Sequence, residues 1–223
     1  MIENRSNRQI AESLFLSRRT VDAHLTRILR KLSIRSRRDV AGALGMTSVA
    51  EDGTSTVMFT DIVGSTILNR TVGDQAWLPI LARHNAIVRE QVLKTRGVVV
   101  KSIGDGFMLA FRQPAAAAQC AVAIQRTLAD AQLPDRRVRV RIGLHHGRPQ
   151  QIDGDLHGAD INLAARICKR AAADEVLCSA ATAEKLAATD GLVVLPAPAS
   201  ELRDFGTVPL FYIQSRDQGA LAA

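Results

Sequence analysis

Two runs of β-forming residues each deliver one carboxylate to a glycine turn, and this pairing constrains the fold more than any other feature of the chain. The first, Val57-Met58-Phe59-Thr60, runs into Asp61-Ile62-Val63-Gly64-Ser65-Thr66; the second, Lys101-Ser102-Ile103, runs into Gly104-Asp105-Gly106 before Phe107. β-branched and aromatic residues suit a pleated surface, and Asp-Gly between two such runs is a hairpin signal. On neighbouring strand ends, Asp61 and Asp105 make a hard, oxygen-rich site suited to Mg²⁺ or Mn²⁺. The backbone N–H groups of Ile62 to Ser65, freed by Gly64 and opening a helix, form a cradle for phosphate. Taken alone, each segment has a plainer reading, with Asp61 capping the next helix and Gly104-Asp105-Gly106 a simple turn.

Charge divides the chain. Residues 1–44 hold ten Lys/Arg against four Asp/Glu, whereas residues 45–223 hold nineteen against eighteen. The basic excess therefore marks a small first module suited to meeting a polyanion, followed by a near-neutral domain of ordinary size. No apolar run approaches the roughly 18 residues of a membrane span, and no apolar signal core follows the first charges. Cys120, Cys168 and Cys178 form no CxxC pair, which suits a reducing compartment. A cytoplasmic protein with no membrane partner is expected.

In the first module Ser6-Asn7 caps a helix with apolar Ile10, Ala11 and Leu14 at helical spacing. Phe15-Leu16-Ser17 breaks it, and Ser17 caps a second helix over Arg18 to Leu32. There Val21, Leu25, Ile28, Leu29 and Leu32 form the inward stripe, while Arg18, Arg19, Asp22, Arg27, Arg30 and Lys31 face out. A third short helix is expected from Arg37 to Leu44. Two short helices about a tight turn, the second rich in Arg, is a helix-turn-helix arrangement. Residues 5–44 resemble the DNA-binding domain of LuxR-type response regulators, although the first of that family's four helices has no counterpart. The resemblance implies a possible DNA partner.

Residues 45–53 read as a linker and residues 215–223 as a tail. Between them, strands are expected at Thr54–Thr60, Val98–Ile103, Phe107–Phe111, Arg137–His146, Val176–Cys178, Leu192–Leu195 and Val208–Ile213. Helices are expected at Trp77–Thr95, Pro114 to about Ala131, Gly158–Ala173 and Ala180–Ala187. The strict alternation of Val138, Val140, Ile142 and Leu144 with Arg137, Arg139 and Arg141 indicates a half-buried strand. The β-α-β-β-α-β order points to an α+β domain of the ferredoxin-like kind.

Residues 54–214 resemble the catalytic domain of class III nucleotidyl cyclases, on four motifs in matching order. Phe59-Thr60-Asp61-Ile62-Val63-Gly64-Ser65-Thr66 and Lys101-Ser102-Ile103-Gly104-Asp105-Gly106 resemble the two metal motifs. Asp155-Leu156-His157-Gly158-Ala159-Asp160-Ile161-Asn162-Leu163-Ala164-Ala165-Arg166 resembles the substrate and transition-state helix, and Leu202-Arg203-Asp204-Phe205-Gly206 a late turn. The resemblance implies an adenylyl cyclase that converts ATP to 3′,5′-cyclic AMP and pyrophosphate. It implies two divalent cations, Mg²⁺ or Mn²⁺, on Asp61, Asp105 and the Ile62 backbone carbonyl. Phosphates would lie against Phe59, Thr60, Val63, Gly64, Ser65, Thr66 and Arg203, where the family usually has Lys. Asn162 would orient the ribose and Arg166 would stabilise the transition state. Lys101 and Asp155 would read adenine, Asp accepting from the exocyclic amine and Lys donating to a ring nitrogen. The resemblance also implies a head-to-tail homodimer whose sites combine the aspartates of one chain with Lys101, Asp155, Asn162 and Arg166 of the other. The competing expectation is a DNA-binding regulator whose cyclase-like domain senses nucleotide or dimerises. Asp153, Asp160, His145 and His146 carry no assignment.

Overall fold

The computed structural model describes residues 6–31, 33, 48–131, 138–152 and 155–216. They belong to two compact units, Met1–Thr47 and Ser48–Ala223. In the first unit, helix α1 (Asn7–Ser13) opens on a capping box in which Ser6 Oγ accepts from Gln9 N while Gln9 Oε1 accepts from Ser6 N. Helix α2 (Arg18–Lys31) follows Ser17, whose Oγ accepts from Thr20 N. Ala11, Val21 and Leu25 bury against Ile10, and Arg18, Arg19, Arg27, Arg30 and Lys31 stay exposed. The helix expected at Arg37–Leu44 lies outside the described residues.

The second unit is built on a seven-stranded sheet in the order β2-β3-β1-β4-β7-β11-β8. Its elements are β1 (Ser55–Ile62), α3 (Ser65–Val72), α4 (Asp74–Lys94), β2 (Val98–Ile103), β3 (Gly106–Phe111), α5 (Pro114–Asp130) and β4 (Val140–Gly147). They continue with β5 (Gln150–Ile152), β6 (Asp155–His157), α6 (Ala159–Arg170), β7 (Val176–Ser179), α7 (Ala180–Leu186), β8 (Leu192–Pro196), β9 (Ser200–Leu202), β10 (Gly206–Val208) and β11 (Leu210–Ser215). The first four strands form the antiparallel order β4-β1-β3-β2 of a ferredoxin-like unit, and β7 then adds parallel to β4.

Strand alternation sorts the core into two layers. Met58 and Ile62 of β1, Phe107, Leu109 and Phe111 of β3, and Val140, Ile142 and Leu144 of β4 pack with α4 and α5. Each such side chain contributes about 1.5–3 kcal/mol through burial. On the other face Val57, Met108 and Ala110 meet Leu156, Ile161 and Ala164, so α6 covers the sheet beside β6.

Three expectations need correction. Residues 48–53 belong to the second unit rather than to a linker: Ser48 O accepts from Ser55 Oγ, Ala50 N donates to Thr54 O, and Val49 packs on the α6-side core. Strand β4 is not half-buried, because α6 covers Gly143 and His145 on the face that Arg139 and Arg141 share. The strand expected at Val208–Ile213 is two strands, divided at Pro209, which has no N–H to give a ladder. Helix α3 opens after Gly64 as expected, whereas the β5–β6 and β9–β10 hairpins are elements beyond those expected.

Candidate active site

Residues Thr60 of β1 and Phe107 of β3 are paired, which sets the end of β1 beside the Gly104-Asp105-Gly106 turn. A Cβ on Gly106 would lie 2.2 Å from Thr60 O and 3.4 Å from the Asp61 Cα, so only glycine allows this approach. Thr60 Oγ1 fastens the junction by accepting from Phe107 N at 3.2 Å. Phe59 is half-buried against the α6-side core, whereas the Ile62 side chain is in the opposite core, so any ligand from Ile62 is its backbone.

Across β1 and β4, Asp61 is paired in register with Arg141. The Arg141 Nε donates to Asp61 Oδ2 at 2.9 Å and a terminal nitrogen donates to the same oxygen at 2.5 Å. The other terminal nitrogen reaches Lys169 O at 3.3 Å, in the last turn of α6. Asp105 differs: its Oδ2 is buried with no hydrogen-bond partner among the described residues. A buried, unsatisfied carboxylate oxygen is costly, and a cation is the natural partner for one. No three His, Cys, Asp or Glu side chains converge on a metal site among the described residues. The hard oxygen donors of Asp61 and Asp105 are of the kind that suits a divalent cation.

Gly64 adopts a left-handed conformation (φ 70°) and leads into α3 with no side-chain cap, leaving backbone donors at the helix start. Val63 N–H is excluded from this cradle because it donates to Arg139 O at 2.9 Å. Ser65 is half-buried and Thr66 exposed.

Lys101 and Asp155 meet at the β2 edge, with Nζ donating to Oδ2 at 2.7 Å. This hydrogen bond holds the Asp155 carboxyl below its ordinary pKa, with further help from the Leu156 N–H. Asn162 is exposed on α6, one turn before Arg166. Arg166 donates to Asp204 Oδ2 at 3.2 Å, and Arg203 Nε is 3.7 Å from the same oxygen. Asp204, in a left-handed turn (φ 71°), thus gathers both arginines and was missed in the sequence. Among the described residues no hydrogen bond or ion pair joins Asp61 or Asp105 to Lys101, Asp155, Asn162 or Arg166.

Burial lowers the pKa of His84, His145 and His146 from the ordinary histidine value. Below about pH 6.5 the unfolded chain then binds more protons than the folded one, so stability is full above that pH and falls as pH drops. Buried His84 and His145 each contribute up to about 1.4 kcal/mol per pH unit, and half-buried His146 less because water screens it. A lower urea midpoint at pH 5.5 than at pH 7.5 is expected; equal midpoints would refute the neutral, buried state.

Residues 48–213 match the adenylate and guanylate cyclase catalytic domain, and residues 1–43 match the luxR family of bacterial regulatory proteins. An adenylate cyclase of Glutamicibacter nicotianae is 30% identical over 166 residues, covering 74% of this chain and 40% of that protein. An adenylate cyclase of Streptomyces coelicolor is 30% identical over 172 residues, covering 74% and 43%. The chain thus spans about two fifths of the length of these relatives. A structure of adenylate cyclases from Trypanosoma brucei in their monomeric state superimposes with a TM-score of 0.68 at 25% identity, covering 72% of this chain and 89% of that one. The adenylyl cyclase CyaB from P. aeruginosa has the same fold, with a TM-score of 0.62 at 23% identity over 72% of this chain and 93% of that one. No helix among the described residues is long and apolar enough to cross a membrane. By the match over residues 48–213, the chain belongs to the adenylate and guanylate cyclase catalytic domain family.

Proposed function

We propose that the chain is an adenylyl cyclase, with each active site shared between two copies arranged head to tail. The observation that carries the substrate reading is the Lys101–Asp155 pair, with Nζ 2.7 Å from Oδ2. Adenine offers an amine donor at position 6 and an acceptor at N1, which match a carboxylate beside an ammonium; guanine reverses both. Lys101 has three donors, so it can keep Asp155 in place while it binds the ring.

Asp61, Asp105 and the Ile62 carbonyl would hold two divalent cations, which when bound activate the ribose 3′-hydroxyl and take up charge on the α-phosphate. Around that centre the chain's own groups position the substrate. Asn162 orients the ribose, and Arg166 stabilises charge on the α-phosphate as the 3′-oxygen bonds to phosphorus and pyrophosphate leaves. One such donor is worth on the order of 10²–10³ in rate. The uncapped start of α3, with Phe59, Thr60, Ser65 and Thr66 around it, and Arg203 receive the remaining phosphates. Arg166 and Arg203 share Asp204, so substrate phosphate would take over a contact that Asp204 now makes. Shared sites are supported by the family membership and by the lack, among the described residues, of any hydrogen bond or ion pair that joins the two aspartates to Lys101, Asp155, Asn162 or Arg166.

Incubation with ATP or GTP and Mn²⁺ or Mg²⁺ tests the reading. Cyclic AMP is expected from ATP, with cyclic GMP at least about tenfold slower. The double substitution Lys101→Glu, Asp155→Cys, which carries the pair typical of guanylyl cyclases, should reverse the preference. Absence of product from ATP with either metal sinks the enzyme reading, and equal use of GTP sinks the adenine assignment. The exposed arginines of α2 support a second, compatible reading in which residues 6–31 contact duplex DNA with salt-dependent affinity.

A further inference from the structure

We propose that Asp160 is a positioning residue that pegs α6 to the end of β4 and thereby sets Asn162 and Arg166 in place; the inference rests on the cyclase reading. Asp160 lies in the first turn of α6, behind Gly158, which gives that helix no side-chain cap. A first-turn carboxylate ordinarily serves its own helix N-terminus. This one instead crosses to β4: Oδ2 accepts from Arg148 N at 2.7 Å and Oδ1 accepts from His145 Nε2 at 3.2 Å. The approach is so close that a Cβ on Gly147 would fall 2.4 Å from Asp160 Oδ2.

The peg continues into a buried chain of hydrogen bonds whose direction is determined. A carboxylate only accepts, so His145 Nε2 carries the hydrogen. Burial lowers the pKa of His145 and favours the neutral ring, so Nδ1 accepts from Ser179 Oγ at 2.7 Å. Ser179 in turn accepts from Thr182 Oγ1 at 3.3 Å, and Thr182 Oγ1 accepts from His146 N at 2.9 Å. Every member has its donors and acceptors matched, which makes the network rigid and locks the imidazole tautomer. Ser179, His145 and Asp160 resemble a hydrolytic triad only in composition. Ser179 is 4% exposed and Thr182 fully buried, so no substrate carbonyl can reach the hydroxyl. The network's exposed end is Asp160, two residues before Asn162 and six before Arg166. At the other end of α6, Arg141 holds Lys169 O. With both ends fixed, the helix has little freedom to slide along β4, and a displacement of about 1 Å of a positioning group can cost on the order of 10²-fold in rate.

The test uses the full chain, cyclic AMP formation and mixed dimers. Asp61→Ala mixed with Arg166→Ala should recover activity, because each supplies the half the other lacks. Asp160→Ala alone should lose on the order of 10² in kcat with a smaller change in KM. Mixed with Asp61→Ala it should recover activity, since its metal half is intact; mixed with Arg166→Ala it should not. Asp160→Asn, which can still accept one of the two bonds, should fall between wild type and Asp160→Ala and covers the case in which the alanine variant fails to fold. The Nε2–H signature of His145 in ¹⁵N NMR spectra should change in Asp160→Ala while cooperative thermal unfolding persists. Wild-type kcat in Asp160→Ala, or recovery with Arg166→Ala as good as with Asp61→Ala, overturns the proposal. So does recovery with neither mate while the parental mixture recovers. If the parental mixture itself fails, the shared-site reading fails, and the kcat and NMR responses of Asp160→Ala still decide the positioning role.

Discussion

Asp105→Asn is expected to lower cyclase activity by about 10³-fold or more while making the chain more stable in chelator. The two effects have one origin. Asp105 Oδ2 is buried with no partner among the described residues, whereas Asp61 at the neighbouring strand end is paired with Arg141. An ionised carboxylate costs more to bury unsatisfied than a neutral amide of the same shape. The substitution therefore relieves about 1 kcal/mol, keeping the Asp/Asn preference of the turn. In activity the change removes a charged cation ligand, an interaction worth several kcal/mol in the transition state, and each 1.4 kcal/mol is about tenfold. Thermal unfolding separates the causes. In EDTA the variant should melt above wild type; added Mn²⁺ should raise the wild-type midpoint by mass action and leave the variant nearly unmoved. A variant that melts lower in EDTA, or that keeps the Mn²⁺ response, would show that Asp105 is a turn residue and no ligand.

The parts of the fold that were legible in the sequence are those in which neighbours along the chain determine the structure. Val57 to Asp61 and Phe107 to Phe111 alternate as strands, Gly104-Asp105-Gly106 turns, and the Ser6/Gln9 capping box forms as its spacing requires. The pairing of Lys101 with Asp155, 54 residues away, was legible only through the family resemblance, since either alone reads as a surface charge. The Arg141–Asp61 bond was not legible. It depends on the β1–β4 register, which brings together residues 80 apart, and alternation had assigned Arg141 simply to an open face. That face is closed by α6, and the available signal was the interruption of the pattern by Gly143 rather than a fourth charged residue. The division at Pro209 has a plain signal in the missing N–H, although the apolar pattern of 208–213 by itself predicts a continuous strand. Asp204 was within reach too: an Asp two residues before Gly in a late turn tolerates left-handed backbone, and its charge lies beside Arg203.

Gly143→Ala is expected to cost the chain both stability and turnover, because at this position the backbone of α6 takes the place of a side chain. A Cβ on Gly143 would lie 2.1 Å from Cys168 N and 2.5 Å from its Cα. These are backbone atoms in the last turn of a hydrogen-bonded helix, so no rotamer change can make room, and α6 must lift from the sheet. That movement loosens Ala164 and Ile167, both 0% exposed, and lengthens the Arg141 contact with Lys169 O. Overpacking of this kind costs about 1–3 kcal/mol, which for a domain of this size is roughly 2–12 °C in melting midpoint. The lift also carries Asn162 and Arg166 away from their places, so kcat should fall on the order of 10²-fold, more than the fraction unfolded explains. Mixed dimers locate the damage: the variant should recover activity with Asp61→Ala, which has an undisturbed α6, and not with Arg166→Ala. Wild-type kcat in a chain that melts several degrees lower would mean that α6 tolerates displacement and that Asn162 and Arg166 are not held to the accuracy a transition state requires.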